Sequence, residues 1–251
     1  MKPDEPALEL NLKALKLRFF RDHYRALVEE AAREQWPHLD LLARLVQGEA
    51  QYRADNALRR RLKAARFPTL KTIDTFDWSW PRKINRPLLQ DIFRLAWVPE
   101  HGNVILLGGV GLGKTHLAIA LAYAACLDGH STLFTTAIEV IQTLQAAQAA
   151  HRFRAELKKY IKPRILVLDE LGYLPIDKAG ADLLFQVISQ RYEQGAMILT
   201  TNTPFKHWSA LFNNDSTLAS ALLDRLLHHA HTVVIEGKSY RMKDRSHQDP
   251  Q

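Results

Sequence analysis

Eight consecutive residues, Gly108-Gly109-Val110-Gly111-Leu112-Gly113-Lys114-Thr115, could grip a chain of phosphates. Gly108, Gly113, Lys114 and Thr115 match the spacing G-x-x-x-x-G-K-[ST], with an apolar run before them and a helical pattern after. Backbone N–H groups close around phosphate oxygens where no Cβ obstructs the approach, which is what the glycines provide. The helix N-terminus adds partial positive charge. Lys114 supplies a full charge to β and γ phosphates, and the Thr115 hydroxyl can hold Mg²⁺. The plain alternative is a glycine-rich strand-to-helix turn with no ligand.

A second constellation is Ile165-Leu166-Val167-Leu168-Asp169-Glu170, an acidic pair at the carboxyl end of an apolar strand. Open parallel sheets bind ligands there. Asp169 suits Mg²⁺, through water, and Glu170 suits polarisation of an attacking water. Thr200-Thr201-Asn202 ends another strand; Asn202 can touch a γ-phosphate or orient a water, since its amide donates and accepts at once. By itself such an asparagine is as readily a turn former. Arg225 follows Asp224 among leucines, either as a structural ion-pair member or as a finger completing a neighbouring subunit's site. Arg241 is a further γ-phosphate contact or a plain surface arginine. Two basic groups, Arg59, Arg60, Arg61 and Lys63 with Arg66, and Arg152, Arg154, Lys158 and Lys159 with Lys162, either neutralise nucleic-acid phosphates or form solvated helix faces.

These groups need a scaffold, and the apolar pattern supplies one. Strands are expected at 104–107, 132–136, 165–168, 197–201 and 232–235, separated by helical stretches at 115–128, 137–160, 180–194 and 216–229. Strands and helices in alternation predict a five-stranded parallel α/β sheet. The first third reads as helix, with Leu8, Leu12, Leu15, Phe19, Leu27 and Ala31 recurring at spacings of three, four and their multiples. Pro37 interrupts, and two further helices follow, one with Leu39, Leu42, Leu45 and Val46, the other with Ala54, Leu58, Leu62 and Ala65. Phe67-Pro68 stops the last of these. A stretch from Thr69 to Pro87, mixing aromatics and prolines without a period, marks the domain boundary.

The 251 residues carry a net charge of +7, which favours an acidic partner, nucleic acid being the commonest. A single cysteine, Cys126, in an apolar stretch fits a buried hydrophobe and a reducing cytoplasm. No apolar run has the length of a membrane span and the charged N-terminus lacks a signal-peptide core, so no membrane is expected.

The order of these motifs resembles the AAA+ ATPases of the helicase-loader and initiator group (DnaC/DnaA type), and within it the IstB-like transposition helpers. The residues that carry the resemblance are Gly113-Lys114-Thr115-His116-Leu117-Ala118, Leu168-Asp169-Glu170-Leu171-Gly172-Tyr173, Thr201-Asn202, Leu223-Asp224-Arg225-Leu226-Leu227-His228-His229 and Gly237-Lys238-Ser239-Tyr240-Arg241. Asn56 to Pro68 also looks like the IstB pattern, so the likeness spans nearly the whole chain. One departure is Gly109-Val110, where many relatives have two prolines. The resemblance implies a P-loop AAA+ domain at 71–251 preceded by a small all-α domain at 1–70 that binds DNA or a partner and self-assembles.

It further implies ATP and Mg²⁺ as cofactors. ATP would lie on Gly108 to His116 with Arg241, Mg²⁺ on Thr115 and Asp169, and hydrolysis would fall to Glu170, Asn202 as sensor and Arg225 as finger. Expected partners are double-stranded DNA, the transposase of the same element, and further copies of the chain in a spiral or ring. The function implied is ATP-dependent help to a transposase in target selection, with stimulation by DNA and assembly. Two rivals are a DnaC-like replicative helicase loader and a nucleotide-binding switch with little turnover.

Overall fold

Three helices open the structure, a computed structural model that describes residues 5–173 and 175–240: α1 (Glu5–Ala14), α2 (Arg18–Arg33) and α3 (His38–Ala65). The chain divides into two compact units, one ending at Arg60 and the other beginning at Arg61. Within the first, the periodicity over Leu8–Ala31 reads straight through a break. Leu17 N–H donates to Leu12 O at 2.9 Å and Lys16 N–H to Lys13 O at 3.1 Å, a Schellman closure with Lys16 in the left-handed region (φ 57°). Lys16 is not the glycine that usually announces this cap, so the sequence carries no stop signal there. Beyond Pro37 the two expected helices are one 28-residue helix, α3. Gly48 allows close packing: a Cβ on it would meet the Phe19 ring at 2.0 Å. The buried Glu49 carboxylate accepts from Phe19 N–H and from Arg53 Nε, both at 2.8 Å, capping a helix whose own N-cap, Leu17, has no side-chain acceptor.

The second unit continues with α4 (Arg86–Ile92), β1 (Asn103–Gly108), α5 (Lys114–Leu127), β2 (Thr132–Thr136), α6 (Ala137–Ala149), α7 (Phe153–Ile161), β3 (Ile165–Leu171), α8 (Lys178–Arg191), β4 (Ala196–Thr201), α9 (Trp208–Leu211), α10 (Ser216–Leu227) and β5 (Ala230–Ile235). The five strands pair in parallel, as expected, and their order is β2-β3-β4-β1-β5. Helices α4 and α9 have no counterpart in the sequence reading. The stretch 137–160, read as continuous, is two helices. Arg152 N–H donates to Ala147 O at 2.8 Å and His151 takes φ 54°, another Schellman closure without glycine.

Alternate strand residues divide between two cores. Ile105, Leu166, Leu168, Met197 and Leu199 pack with Leu144, Leu184, Val187 and Leu222, so α6, α8 and α10 cover one face. Val104, Leu106, Val167 and Ile198 pack with Leu89, Ile92, Leu117 and Leu121, so α4 and α5 cover the other. Both faces are dry, which explains strands that read as unbroken apolar runs. Arg191 seals one end of the sheet. Its side chain, 1% exposed, donates to the carbonyls of Tyr160, Ile161, Pro163, Arg164 and Ala196. Burial lowers its pKa to about 10, so it is still charged at neutral pH.

Candidate nucleotide site

The loop between β1 and α5 takes the shape its glycines permit. Gly111 and Gly113 sit at φ 73° and 85°, a region L side chains rarely occupy, and Gly113 is the N-cap of α5. A Cβ on Gly111 would also meet Ser239 Oγ at 2.1 Å. Lys114 is buried, donates from Nζ to Gly109 O at 2.7 Å, and lies 5.8 Å from the centroid of the Tyr173 ring. Val110 is exposed, whereas the Leu112 side chain packs into the core under α5 and the residue also lines the cavity.

Because β4 lies between β3 and β1, Asp169 reaches the loop across the end of β4. Thr115 Oγ1 donates to both Asp169 oxygens at 3.1 Å. Thr200 Oγ1, from the end of β4, donates to Asp169 Oδ1 and accepts from Glu170 N–H at 3.0 Å. Burial pushes the Asp169 carboxyl above the usual carboxylate range, opposed by both hydroxyls, the Glu170 N–H and the Lys114 charge. A buried carboxylate held this way favours a cation beside it. Glu170 takes φ 58°, and the β3–β4 register shifts between Leu168 and Leu171. This irregularity turns Glu170 out of the strand alternation, and its side chain is exposed at the cavity wall. Strand β3 thus contains the acidic pair and extends past it to Leu171, further than the expected 165–168.

The phosphate loop forms one side of a cavity of about 280 Å³ whose other side presents Phe76, Trp80, Tyr173 and Tyr240. This opposite wall was missed: residues 69–87 read from the sequence only as a boundary. Lys83 and Glu236 exchange backbone hydrogen bonds, pinning that segment beyond β5. Trp80 Nε1 donates to Lys238 O at 2.8 Å, its ring meets the Tyr240 ring edge-on, and Tyr240 N–H donates to Gly111 O at 2.8 Å. His116 lines the cavity too, its Nε2 2.9 Å from Thr72 O and its ring edge-on to Phe76. The density of tryptophan and phenylalanine in this aperiodic stretch was the available signal.

Other candidate residues are not among those that line the cavity. Asn202 follows β4, its Oδ1 accepting from Thr203 Oγ1 at 3.1 Å, and does not line the cavity; Thr200 is the β4 residue that reaches Asp169. Arg225 projects from α10, where Nη1 donates to Ala221 O and the guanidinium lies 4.8 Å from the centroid of the Phe185 ring. It too is outside the cavity lining. Arg61 Nε donates to Cys126 O at the end of α5, while Arg59, Arg60 and Lys63 are exposed. Lys159 pairs with Glu156 at 2.6 Å, leaving Arg152, Arg154 and Lys158 exposed beside it. Arg241 lies outside the described residues.

Nucleotide and metal fit what is present: two left-handed glycines, a buried lysine, and a hydroxyl already paired to a buried carboxylate. The comparisons with known proteins agree. Residues 10–248 match the family described as IstB-like ATP binding protein. The chain is 40% identical over 238 residues to the putative ATP-binding protein of insertion sequence IS21 from Pseudomonas aeruginosa, covering 95% of this chain and 89% of that one. It is 38% identical over 244 residues to the IS232 counterpart from Bacillus thuringiensis subsp. berliner, covering 97% of each. Among solved structures, DnaI has the same fold, with a TM-score of 0.56 at 20% identity over 70% of this chain and 92% of that one. A glycine loop, an acidic strand end and a parallel AAA+-type sheet, with relatives matched over nearly their full length, place this chain in the IstB-like ATP-binding protein family.

Proposed function

We propose that this chain is a Mg²⁺-dependent ATPase that assembles on duplex DNA and helps the transposase of its own insertion sequence choose and prepare target DNA. The observation that carries this reading is the convergence of the Thr115 and Thr200 hydroxyls on the buried Asp169, with Glu170 beside them, at a glycine-lined cavity. Insertion-sequence ATP-binding proteins matched over nearly their whole length support the transposition context.

Each residue has a distinct part. Main-chain N–H groups of Gly108 to Thr115 hold the phosphate chain, and Lys114 exchanges its contact with Gly109 O for phosphate oxygens. The aromatic faces of Phe76, Trp80 and Tyr240 suit the base. Thr115 and Asp169 hold Mg²⁺, which when bound with ATP supplies charge neutralisation for phosphoryl transfer. Glu170 accepts the proton of the attacking water, and Asn202 orients groups near the γ-phosphate, as does Arg241. Arg225, outside the lining of its own cavity, serves a neighbouring copy. Residues 1–70 grip DNA or partner and drive assembly, and 71–251 form the ATPase. The exposed Arg59, Arg60, Lys63, Arg152, Arg154 and Lys158 are the proposed phosphate contacts. The cytoplasm is the proposed compartment, where a lone thiol stays reduced. Among the described residues no helix is long and apolar enough to cross a membrane.

The test is ATP hydrolysis with and without duplex DNA, together with the size of the ATP-bound species. Turnover should rise with DNA, and the species should enlarge with ATP. Absence of duplex binding at low salt, with tight association to a replicative helicase, would replace this reading by that of a loader. Neither Arg225→Ala nor Glu170→Gln protein should turn over alone, while mixtures of the two should recover activity if the site is shared.

A further inference from the structure

We infer that the turn after α8 and the end of α10 form a binding site for a divalent transition-metal ion, zinc by its ligand set, made by Glu193, His228 and His229. Among the described residues this is the group of metal-ligating side chains that comes together: one ligand atom from each lies within 4.8 Å of the others. Two imidazoles and a carboxylate are a borderline-soft set that suits Zn²⁺, with a fourth position for water. Tetrahedral bonds of about 2.0–2.1 Å put ligand atoms roughly 3.3 Å apart, so the side chains must close by up to about 1.5 Å. All three are exposed, and the movement falls to Glu193 and His229, since the His228 ring lies against those of Tyr192 and His229.

The backbone beneath them is fixed. Gln194 N–H and Gly195 N–H both donate to Arg191 O at 2.9 Å, and Glu193 takes φ 56° between the helix end and that closure. Arg191 itself is locked by five carbonyls. On the other side His228 N–H donates to Asp224 O, and His229 O accepts from Asn103 N–H at 2.7 Å. Tyr192, hydrogen-bonded also to Glu193, holds the group from one side. Its hydroxyl lies 2.7 Å from His228 Nδ1 with the two rings stacked, which orients the imidazole and leaves the other ring nitrogen for a metal. Metal-bound histidines are commonly held by such a partner on the far nitrogen. A bound ion would tie the end of α10, three residues past Arg225, to the α8 turn.

Untagged full-length protein, stripped of metal, would be titrated with Zn²⁺ in competition with a chromophoric chelator, and with Co²⁺ followed by its visible spectrum. About one ion per chain should bind at about micromolar or tighter, with Co²⁺ bands of four- or five-fold coordination. Glu193→Gln and His229→Ala should each weaken binding at least about tenfold, and Tyr192→Phe by a similar factor through the lost partner. Zn²⁺ should raise the Tm of wild type but not of His229→Ala, whose metal-free Tm should match wild type. Binding only at millimolar Zn²⁺, or unchanged affinity in both Glu193→Gln and His229→Ala, would overturn the assignment, and His229→Asn repeats the test should His229→Ala fail to fold.

Discussion

Replacing Thr200 by valine tests whether the site is organised as its hydrogen bonds indicate. The side chain is 1% exposed and its hydroxyl links two groups, accepting from Glu170 N–H and donating to Asp169 Oδ1. Valine keeps the shape and removes both. A hydrogen bond to a charged acceptor contributes about 1.5–3 kcal/mol, and a backbone N–H left unpaired costs about 1–3 kcal/mol. Glu170 is exposed, so water can reach part of the vacated space. That lowers the sum to about 2–4 kcal/mol of folding stability. Asp169 also loses the first of the contacts that oppose its burial, so its carboxyl should titrate higher still. Misalignment by an ångström costs about a hundredfold in rate. We therefore expect ATP turnover to fall about 10–100-fold, with nucleotide affinity changed far less, because the Thr200 hydroxyl bonds to Asp169 and Glu170 and not to the phosphate loop. Urea unfolding and steady-state hydrolysis at saturating ATP measure the two effects, and Thr200→Ser should restore both. A Thr200→Val protein within about 0.5 kcal/mol of wild type and turning over at the wild-type rate would refute this account of the site.

Gly111→Ala should weaken nucleotide binding by at least about tenfold, because its φ of 73° strains any side chain and its Cβ would push on Ser239. Gly109→Ala, where the Cβ meets only Leu112 Cδ1 at 3.6 Å, should be much milder, and fluorescent-nucleotide titration compares the two. Arg191→Lys should lose about 3–5 kcal/mol, since three compact donors cannot satisfy five carbonyls; thermal unfolding within a degree of wild type would contradict this. Burial pushes the Glu49 carboxyl up, but Arg53 and the Phe19 and Phe20 N–H groups outweigh it and hold the pKa below 4.5. Its contribution is therefore complete above pH 4.5 and is lost as pH falls through the lower folded value. Glu49→Gln should abolish that part of the acid dependence, read from hydrogen exchange of the α2 amides.

Patterns repeated over many residues were legible in the chain: the strands of the sheet, the helices between them, the phosphate loop and the acidic strand end. Apolar periodicity reports burial on two faces, and a loop that must enclose phosphate admits few residue types. Helix ends were less legible. Lys16 and His151 close helices in the left-handed region, where the usual signal is glycine, and the periodicity ran through both. Nothing local forbade that continuation.

The partners of the site came only from the fold. Thr200 stood in the sequence as one residue of a strand end, and its bond to Asp169 exists because β4 lies between β3 and β1. Strand order is set by how helices cover the two faces, which no short segment encodes. The segment holding Phe76 and Trp80 became a cavity wall through contacts with residues more than 150 positions later, Trp80 on Lys238. What the sequence determined by itself was the proposed phosphate grip of Gly108 to Thr115, because that chemistry is local to one turn and the helix it starts. What surrounds the grip depended on tertiary structure, because those side chains converge only when distant segments pack together.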